Sequence, residues 1–360
     1  MSDNATFDLP EFPWDRLAPL GDKARAHPDG IVDLSIGTPV DSVPEVIQSA
    51  LAAASDSPGY PPTAGIPALQ KAMRDWSIKH LGTSESVGVL PSIGSKEMVT
   101  LLPFLLRAKR VLYPDIAYPS YHVGAVLAGA EAIPVGEDPK SWPAADFAWI
   151  NSPSNPTGAL MSDQAVRDAI QWAKYNDAYL VSDECYLQLG WEATPRSVLS
   201  FPEAVDAKVI ALHSLSKRSN LAGYRAGFAV GNPSVISELL EIRKHVGMMM
   251  PGPVQVAMIA ALADTDHVTK QRAVYLRRRT ELHRGLTVAG FTIHDSVAGL
   301  YLWATRDEEC WKSADWLAGH GILVAPGDFY GVRGKNFVRA ALTATDERID
   351  AAVARLTATA

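Results

Sequence analysis

The stretch Ser214-Leu215-Ser216-Lys217-Arg218-Ser219-Asn220-Leu221-Ala222-Gly223-Tyr224-Arg225 sets a lysine behind two hydroxyl residues and ahead of an arginine. A lysine amine forms a Schiff base with an aldehyde. Ser214, Ser216 and Arg225 are residue types that hold a phosphate, the arginine through a forked, permanently charged donor set. An aldehyde and a phosphate on one molecule point to pyridoxal 5′-phosphate. Taken alone, the stretch also reads as a surface loop with scattered basic residues.

Two further segments narrow that choice. Ala178-Tyr179-Leu180-Val181-Ser182-Asp183-Glu184-Cys185-Tyr186 reads as a buried strand ending in polar residues. Open α/β sheets place ligands at the carboxyl ends of their strands. Pyridoxal chemistry needs a carboxylate against the pyridine nitrogen, because the protonated ring is the electron sink. Asp183 is the candidate, although by itself it equally suits a helix N-cap. Tyr186 is either a partner for the phenolic oxygen of such a cofactor or an ordinary buried tyrosine. Asn151-Ser152-Pro153-Ser154-Asn155-Pro156-Thr157-Gly158 follows the apolar run Phe147–Ile150. Its prolines and glycine make a rigid turn, from which Asn155 can donate to the ring oxygen.

In this order and spacing the three segments resemble the class I and II aminotransferases of fold type I, from about Ile31 to the C-terminus. The resemblance implies an α/β fold: a large domain with a mostly parallel seven-stranded sheet, beside a smaller α+β domain. It assigns Lys217 to the imine with the cofactor and Asp183 to the pyridine nitrogen. It assigns Asn155 and Tyr186 to the ring oxygen, and Arg225 with Ser214 to the phosphate. Ser95 and Lys96, in Pro91–Glu97, fall on the family's phosphate-cradling turn. That turn feeds a helical run from Met98 to Leu106, and such a helix start is a ready anion site. Family members often carry glycine or alanine where Ser95 stands. Tyr118 falls on the aromatic that stacks on the cofactor, and is grouped with Lys217 and Asp183 as catalytic. Gly37 falls on the glycine whose backbone approaches the substrate. Arg339 falls on the arginine that clamps the substrate α-carboxylate. A lone arginine in an apolar strand is costly to bury unpaired, which argues separately for an anion there. Tyr60 falls on the tyrosine that reaches the phosphate of a neighbouring subunit, so the resemblance also implies a homodimer.

The implied activity is ping-pong transfer of an amino group, with glutamate and 2-oxoglutarate as one substrate pair. Lys217 would move the α-proton. Asp183 would keep the ring nitrogen protonated, its own pKa lowered by the adjacent cation. The runs Phe12–Asp15, His27–Asp41 and Ala325–Gly331 are similar to those of the actinobacterial N-succinyldiaminopimelate aminotransferases. That likeness implies N-succinyl-2-amino-6-oxopimelate as acceptor, in the formation of diaminopimelate and lysine. Such an acceptor calls for a second cation, for which Lys96, Arg333 and Lys335 are candidates with none preferred. An aspartate or aromatic aminotransferase, or a carbon–sulfur β-lyase on the same fold, would use the same Lys217, Asp183 and Arg225. A non-catalytic effector domain of a transcription regulator is not expected, since the short acidic N-terminus leaves no room for a DNA-binding segment.

The elements that position these residues follow α/β alternation. Helical patterns over Val46–Ala53, Ala68–His80, Met98–Leu106 and Asp163–Tyr175 alternate with β-like runs. Those runs are Arg110–Tyr113, Ala132–Val135, Phe147–Ile150, Tyr179–Val181, Lys208–His213 and Arg225–Val230. A long helix is expected over Pro233–Val246. The break Met248-Met249-Met250-Pro251-Gly252-Pro253 marks the linkage to a smaller domain. Residues 1–40 then form an arm and part of the small domain, 41–247 the large cofactor-binding domain, and 248–360 the small C-terminal domain. Residues 1–30 are expected as an extended arm, with Pro10, Pro13 and Trp14 packing on the body. Past the linkage, helices are expected over Val254–Leu262 and Thr269–Thr287. The tail alternates strand and helix to Glu347–Leu356. The methionine triplet reads as packing rather than a metal site.

Composition fits this picture. The chain has 360 residues, 47% hydrophobic and 20% charged, ordinary for a globular protein. A net charge of −7 argues against a nucleic-acid partner. Arg277-Arg278-Arg279 is expected as a solvated helix face. Cys185 and Cys310 suggest no disulfide framework. No apolar run approaches membrane-spanning length, and Met1–Pro10 lacks a signal-peptide pattern. No metal and no membrane partner are expected, and the expected location is the cytoplasm.

Overall fold

The computed structural model describes residues 9–358. The first eight residues of the expected arm lie outside the described residues, as do 359 and 360. A seven-stranded sheet runs, in spatial order, Gly88–Ile93, Ala226–Gly231, Val209–Ser214, Tyr179–Asp183, Phe147–Asn151, Arg110–Pro114 and Glu131–Val135. Ala226–Gly231 is antiparallel to both of its neighbours, and every other pairing is parallel. Phe147–Asn151 and Val209–Ser214 are buried at every residue. That is why they read as continuous apolar runs and not as alternating ones.

Helices cover both faces. Ser95–Leu105, Ser120–Leu127 and Pro233–Val246 bring Met98, Leu102, Tyr121 and Leu239 against Trp149 and Val181. Asp163–Tyr175 brings Val166, Ile170 and Trp172 against Leu112, Ala148 and Leu180 on the other. The strand Gly88–Ile93 has no counterpart among the expected elements. Pro91 in its middle masks it, and the strand survives because it lies at the sheet edge. Ser120–Leu127 was hidden by Pro119 and Gly124. A Cβ at Gly124 would sit 2.9 Å from the Val99 carbonyl oxygen, so the glycine permits close approach of two helices.

A second, four-stranded antiparallel sheet runs Ala325–Pro326, Val338–Ala341, Tyr301–Thr305, Thr292–His294. Val32–Asp33 pairs in parallel with Ile322–Leu323, which joins the early chain to this unit. The helices Asp266–Val288 and Asp346–Thr357 pack there around Tyr275, Leu282, Leu286 and Leu356. The helix Gly252–Ala263 instead packs against Glu45–Ala53 and Pro67–Leu81, with Met250, Ala257 and Met258 in one cluster with Ile47, Leu69 and Met73.

Two local expectations are corrected. The arm is not extended throughout: Pro13–Leu17 is a 3-10 turn and Ala18–Arg25 an α-helix. Its prolines suggested a break, but proline at the first helical positions costs no hydrogen bond, and Leu17, Leu20 and Ala24 give a buried stripe. The arginine run is not wholly solvated either. Arg278 is 2% exposed, on the same helical stripe as Tyr275 and Leu282, and bridges Asp41 and Asp346, each at 2.6 Å. Among the described residues no helix is long and apolar enough to cross a membrane, and no group of side chains is arranged to hold a metal.

Candidate active site

Three adjacent parallel strands end in chemistry. Asn151 is in register with Asp183, and Asp183 with Leu212, just before Ser214. The turns that follow them open into one cavity of about 1130 Å³. Gly37, Ser95, Lys96, Tyr118, Asn155, Asp183, Tyr186, Ser214, Lys217, Arg225 and Arg339 all line it. Tyr60 does not, and is 94% exposed on its own chain.

At one end the lining is all phosphate chemistry. Ser95 begins an eleven-residue helix, capped by Gly94 with φ 71°. A Cβ at Gly94 would run into the guanidinium of Arg225, so only glycine lets the arginine lie against this turn. Ser214 accepts from the Ser216 backbone N–H at 3.1 Å, and Ser216 shares the lining. The turn is fixed from behind by Glu97, which accepts from the Ile93 N–H at 2.9 Å and pairs with the fully buried Arg243. Lys96 Nζ stands 6.0 Å from the Tyr118 ring centroid.

In the middle, Lys217 Nζ donates to the Gly37 carbonyl. Burial pushes this amine down to about 8, and the guanidinium groups of Arg339 and Arg225 add to the effect. Gly37 has no space for a side chain, since a Cβ would meet the Tyr301 hydroxyl and ring. The deep end holds Asp183, which is 6% exposed. Its Oδ2 accepts from Tyr121 Oη at 2.8 Å and its Oδ1 from the Cys185 N–H at 3.2 Å. Burial raises the Asp183 carboxyl, against those two bonds. The sequence reading had this pKa lowered. The lowering needs the cationic partner beside it, whereas the protein alone supplies desolvation and neutral donors.

Arg339 closes the substrate side. It is 2% exposed, donates to Asn155 Oδ1 at 2.9 Å and the Ser35 carbonyl at 2.6 Å, and lies 3.9 Å over the Tyr301 ring. Its Nε has no partner among the described residues, and its other nitrogens bond to an amide and a backbone carbonyl, not to a carboxylate. Tyr186 Oη meets Tyr301 Oη at 3.1 Å. The sequence reading missed Tyr121, Tyr301 and Tyr330, the last with its ring centroid 4.9 Å from the Arg339 guanidinium in the same cavity. Tyr121 follows Tyr118 by one helical turn, a spacing that hints at a second tyrosine under the first. Tyr301 and Tyr330 carried no such mark.

The residues present fit pyridoxal 5′-phosphate. Hydroxyls, helix-start N–H groups and Arg225 suit a phosphate, Lys217 an aldehyde, and Asp183 a pyridine nitrogen, all in one connected cavity. Gly94 leaves room for the Arg225 guanidinium at the phosphate end.

The comparisons with known proteins agree. A family model described as aminotransferase class I and II matches residues 29–356. The chain is 49% identical to the 4-dedimethylamino-4-oxo-anhydrotetracycline transaminase of Streptomyces rimosus, over 97% of this chain and 99% of that one. It is 52% identical to a probable aminotransferase of Mycobacterium tuberculosis, over 97% of this chain and 85% of that one. A solved structure of a probable N-succinyldiaminopimelate aminotransferase from Thermus thermophilus superposes with a TM-score of 0.86 at 28% identity, covering 97% of this chain and all of that one (100%).

Proposed function

The chain belongs to the class I and II aminotransferases, which work with pyridoxal 5′-phosphate, and from that premise we propose that it moves an amino group from glutamate to N-succinyl-2-amino-6-oxopimelate. The observation that carries the reading is Arg339. A buried guanidinium with no carboxylate partner among the described residues, in the wall of the cavity that holds Lys217, is suited to an anion from outside the chain. The α-carboxylate shared by donor and acceptor supplies it.

When bound, the cofactor supplies an electron sink for the bond broken at the substrate α-carbon. Lys217 Nζ takes the α-proton, and its lowered pKa leaves a useful fraction as free base near neutral pH. Asp183 holds the proton on the ring nitrogen, with Tyr121 and the Cys185 N–H fixing its two oxygens. Ser95, Ser214 and Arg225 bind the phosphate. Asn155 and Tyr186 would hold the ring oxygen, and Tyr118 would pack against the ring. Arg339, itself held by Asn155 and Ser35, aligns the carboxylate so that the α-hydrogen faces Lys217.

The finer choice of acceptor rests on room and charge. The cavity exceeds the ~300–1,000 Å³ usual for a ligand site, so it extends beyond a cofactor and a short amino acid. Of the three distal cations, Lys335 lies outside the lining and Arg333 pairs with Asp115 at 3.0 Å. Lys96 lines the cavity with no ion-pair partner among the described residues, and is the ligand we propose for the distal carboxylate. A second reading, a ketone on a large flat skeleton, draws support from Phe12, Trp14 and Phe329 on the outer wall. The name of the Streptomyces rimosus relative describes such a ketone. We further propose a homodimer in which the exposed Tyr60 completes the phosphate site of its neighbour.

The test is a screen of oxo acceptors with glutamate as donor, read as 2-oxoglutarate formed. N-succinyl-2-amino-6-oxopimelate should give the highest kcat/KM. Preference for polycyclic ketones would select the second reading, and release of ammonia and pyruvate without 2-oxoglutarate would refute transfer altogether.

A further inference from the structure

Behind the floor of the large cavity lies a second, small one. Neighbouring residues point to opposite sides of that floor: Asp183 and Lys217 line the front, Glu184 and Arg218 the rear. Trp76, Gln188, His213 and Phe228 complete the rear wall. The space offers about 10 Å³ to the centre of a water molecule, the least that holds one. Six polar atoms on this wall have no hydrogen-bond partner among the described residues. They are Glu184 Oε2, His213 Nε2, Arg218 Nε and Nη1, Gln188 Oε1 and Trp76 Nε1. Buried polar atoms left unpaired are costly, charged ones most of all. Glu184 Oε2 and His213 Nε2 stand 3.6 Å apart, just beyond a direct hydrogen bond, with the small space beside them.

We propose that Glu184, His213 and Arg218 enclose a bound water, and that Glu184 acts as a positioning residue whose charge is felt at Asp183 and Lys217. The geometry leaves Glu184 little freedom. Its side chain is 0% exposed and its Oε1 accepts from the Val198 N–H at 2.8 Å. His213 is wedged between Trp76 and Phe228, with ring centroids at 5.0 and 5.2 Å. Burial pushes Glu184 up to about 7 and His213 down to about 3, so near neutral pH Glu184 is divided between its ionised and protonated forms while His213 is neutral. The titratable and charged groups around the pair are Asp183 and Cys185 on its own segment, Lys217 and Arg218 on the lysine turn, and His80 on the Pro67–Leu81 helix. Asp264 and His267 lie beyond Arg218 and act on it. Asp183 is the like charge that resists ionisation of Glu184. By reciprocity, ionised Glu184 adds negative potential at the catalytic floor.

This inference rests on the reading of Asp183 and Lys217 as the catalytic pair. The experiment is a pH titration of the visible absorbance of the holoenzyme, wild type against Glu184→Gln. The amide keeps the acceptor for Val198 and removes the charge. The wild-type curve should span two linked protonations. The variant should collapse to one step with its midpoint at lower pH, because a negative charge that favours protonation is gone. In the same variant kcat should fall several-fold with KM for the donor little changed. Identical curves overturn this inference alone. A wild-type protein with no visible band overturns the Lys217 reading and this one with it. If Glu184→Gln does not fold, a crystal structure of the wild-type holoenzyme decides. A water within hydrogen-bonding distance of Glu184 Oε2 and His213 Nε2 supports the inference, and a dry cavity overturns it.

Discussion

Tyr121→Phe should slow catalysis without disturbing the fold. Tyr121 is fully buried and stacks on Trp149 at 5.0 Å between centroids, a contact that phenylalanine keeps. The one atom lost is the hydroxyl that donates to Asp183 Oδ2 at 2.8 Å. Burial and the neighbouring carboxylate hold the tyrosine pKa well above its usual value, so it stays a donor across the working range. A hydrogen bond to a charged group contributes about 1.5–3 kcal/mol, which is roughly 10- to 150-fold in rate if the bond is needed in the transition state. By comparison, Asp183→Asn removes the whole charge and should lower kcat by about two to four orders of magnitude, from ~3–5 kcal/mol. The assay is steady-state transamination at saturating donor, with circular dichroism to verify the fold. Tyr121→Phe should lower kcat within the stated range and leave KM nearly unchanged. The double variant should be no slower than Asp183→Asn, because the hydroxyl acts only through that carboxylate. A kcat within twofold of wild type in Tyr121→Phe, or full additivity in the double variant, would refute the reasoning.

Borohydride reduction of the holoenzyme should fix the cofactor to Lys217, read by peptide mass, and Lys217→Ala should lose nearly all turnover while still binding the cofactor. Trapping on any other lysine sinks the assignment. Arg339→Lys should lower kcat/KM by roughly 30- to 5,000-fold, since disrupting a buried, hydrogen-bonded charge contact costs ~2–5 kcal/mol and an ammonium cannot keep the bonds to both Asn155 and Ser35. Full activity in that variant would move the carboxylate site elsewhere. Without cofactor, Lys217 has a folded pKa of about 8 against an ordinary 10.5. The unfolded chain therefore binds the extra proton between those values, and this group adds stability as pH rises from about 8 towards 10.5. Lys217→Met should flatten that rise in a melting series, and an unchanged slope would contradict it. Mixing Lys217→Ala with Tyr60→Phe subunits should give activity above the sum of the parents, because exchange creates one intact shared site. No gain after verified exchange refutes the shared site.

The sheet order explains how much of this was legible in sequence. The segments around Asn155, Asp183 and Lys217 lie far apart in the chain, yet follow three strands that are immediate neighbours. Each segment carried a local sign: prolines in the first, a polar strand end in the second, hydroxyls before a lysine in the third. The strands behind them are buried on both faces, which makes them the easiest kind to read. Tyr301 and Tyr330 left no such sign, because a tyrosine in an apolar run reads as core, and Tyr121 left only its three-residue spacing from Tyr118. Their roles arise only when distant elements meet, as when Arg339 from one strand lies over Tyr301 from the next. The helix at Ala18–Arg25 and the strand at Gly88–Ile93 were hidden for a different reason. Both contain prolines, and whether a proline breaks an element depends on its place at a helix start or sheet edge, which the third dimension decides.

The same limit applies with more force to Glu184 and Arg218. In sequence they are only the neighbours of Asp183 and Lys217, and a charged residue beside a catalytic one is most simply read as solvated. The fold removes that option, since both are buried behind the floor. Two consecutive ionisable residues at or just past the ends of two adjacent strands then face opposite cavities. A buried charge is tolerated only when compensated. The rear pair therefore has to be satisfied by the groups around its own cavity, separately from the front pair, which meets cofactor and substrate. A purely structural rear layer could be replaced by apolar residues of similar volume at little cost to turnover. A layer that sets the field at Asp183 and Lys217 could not, and Glu184→Gln separates these alternatives because it changes the charge while keeping the shape.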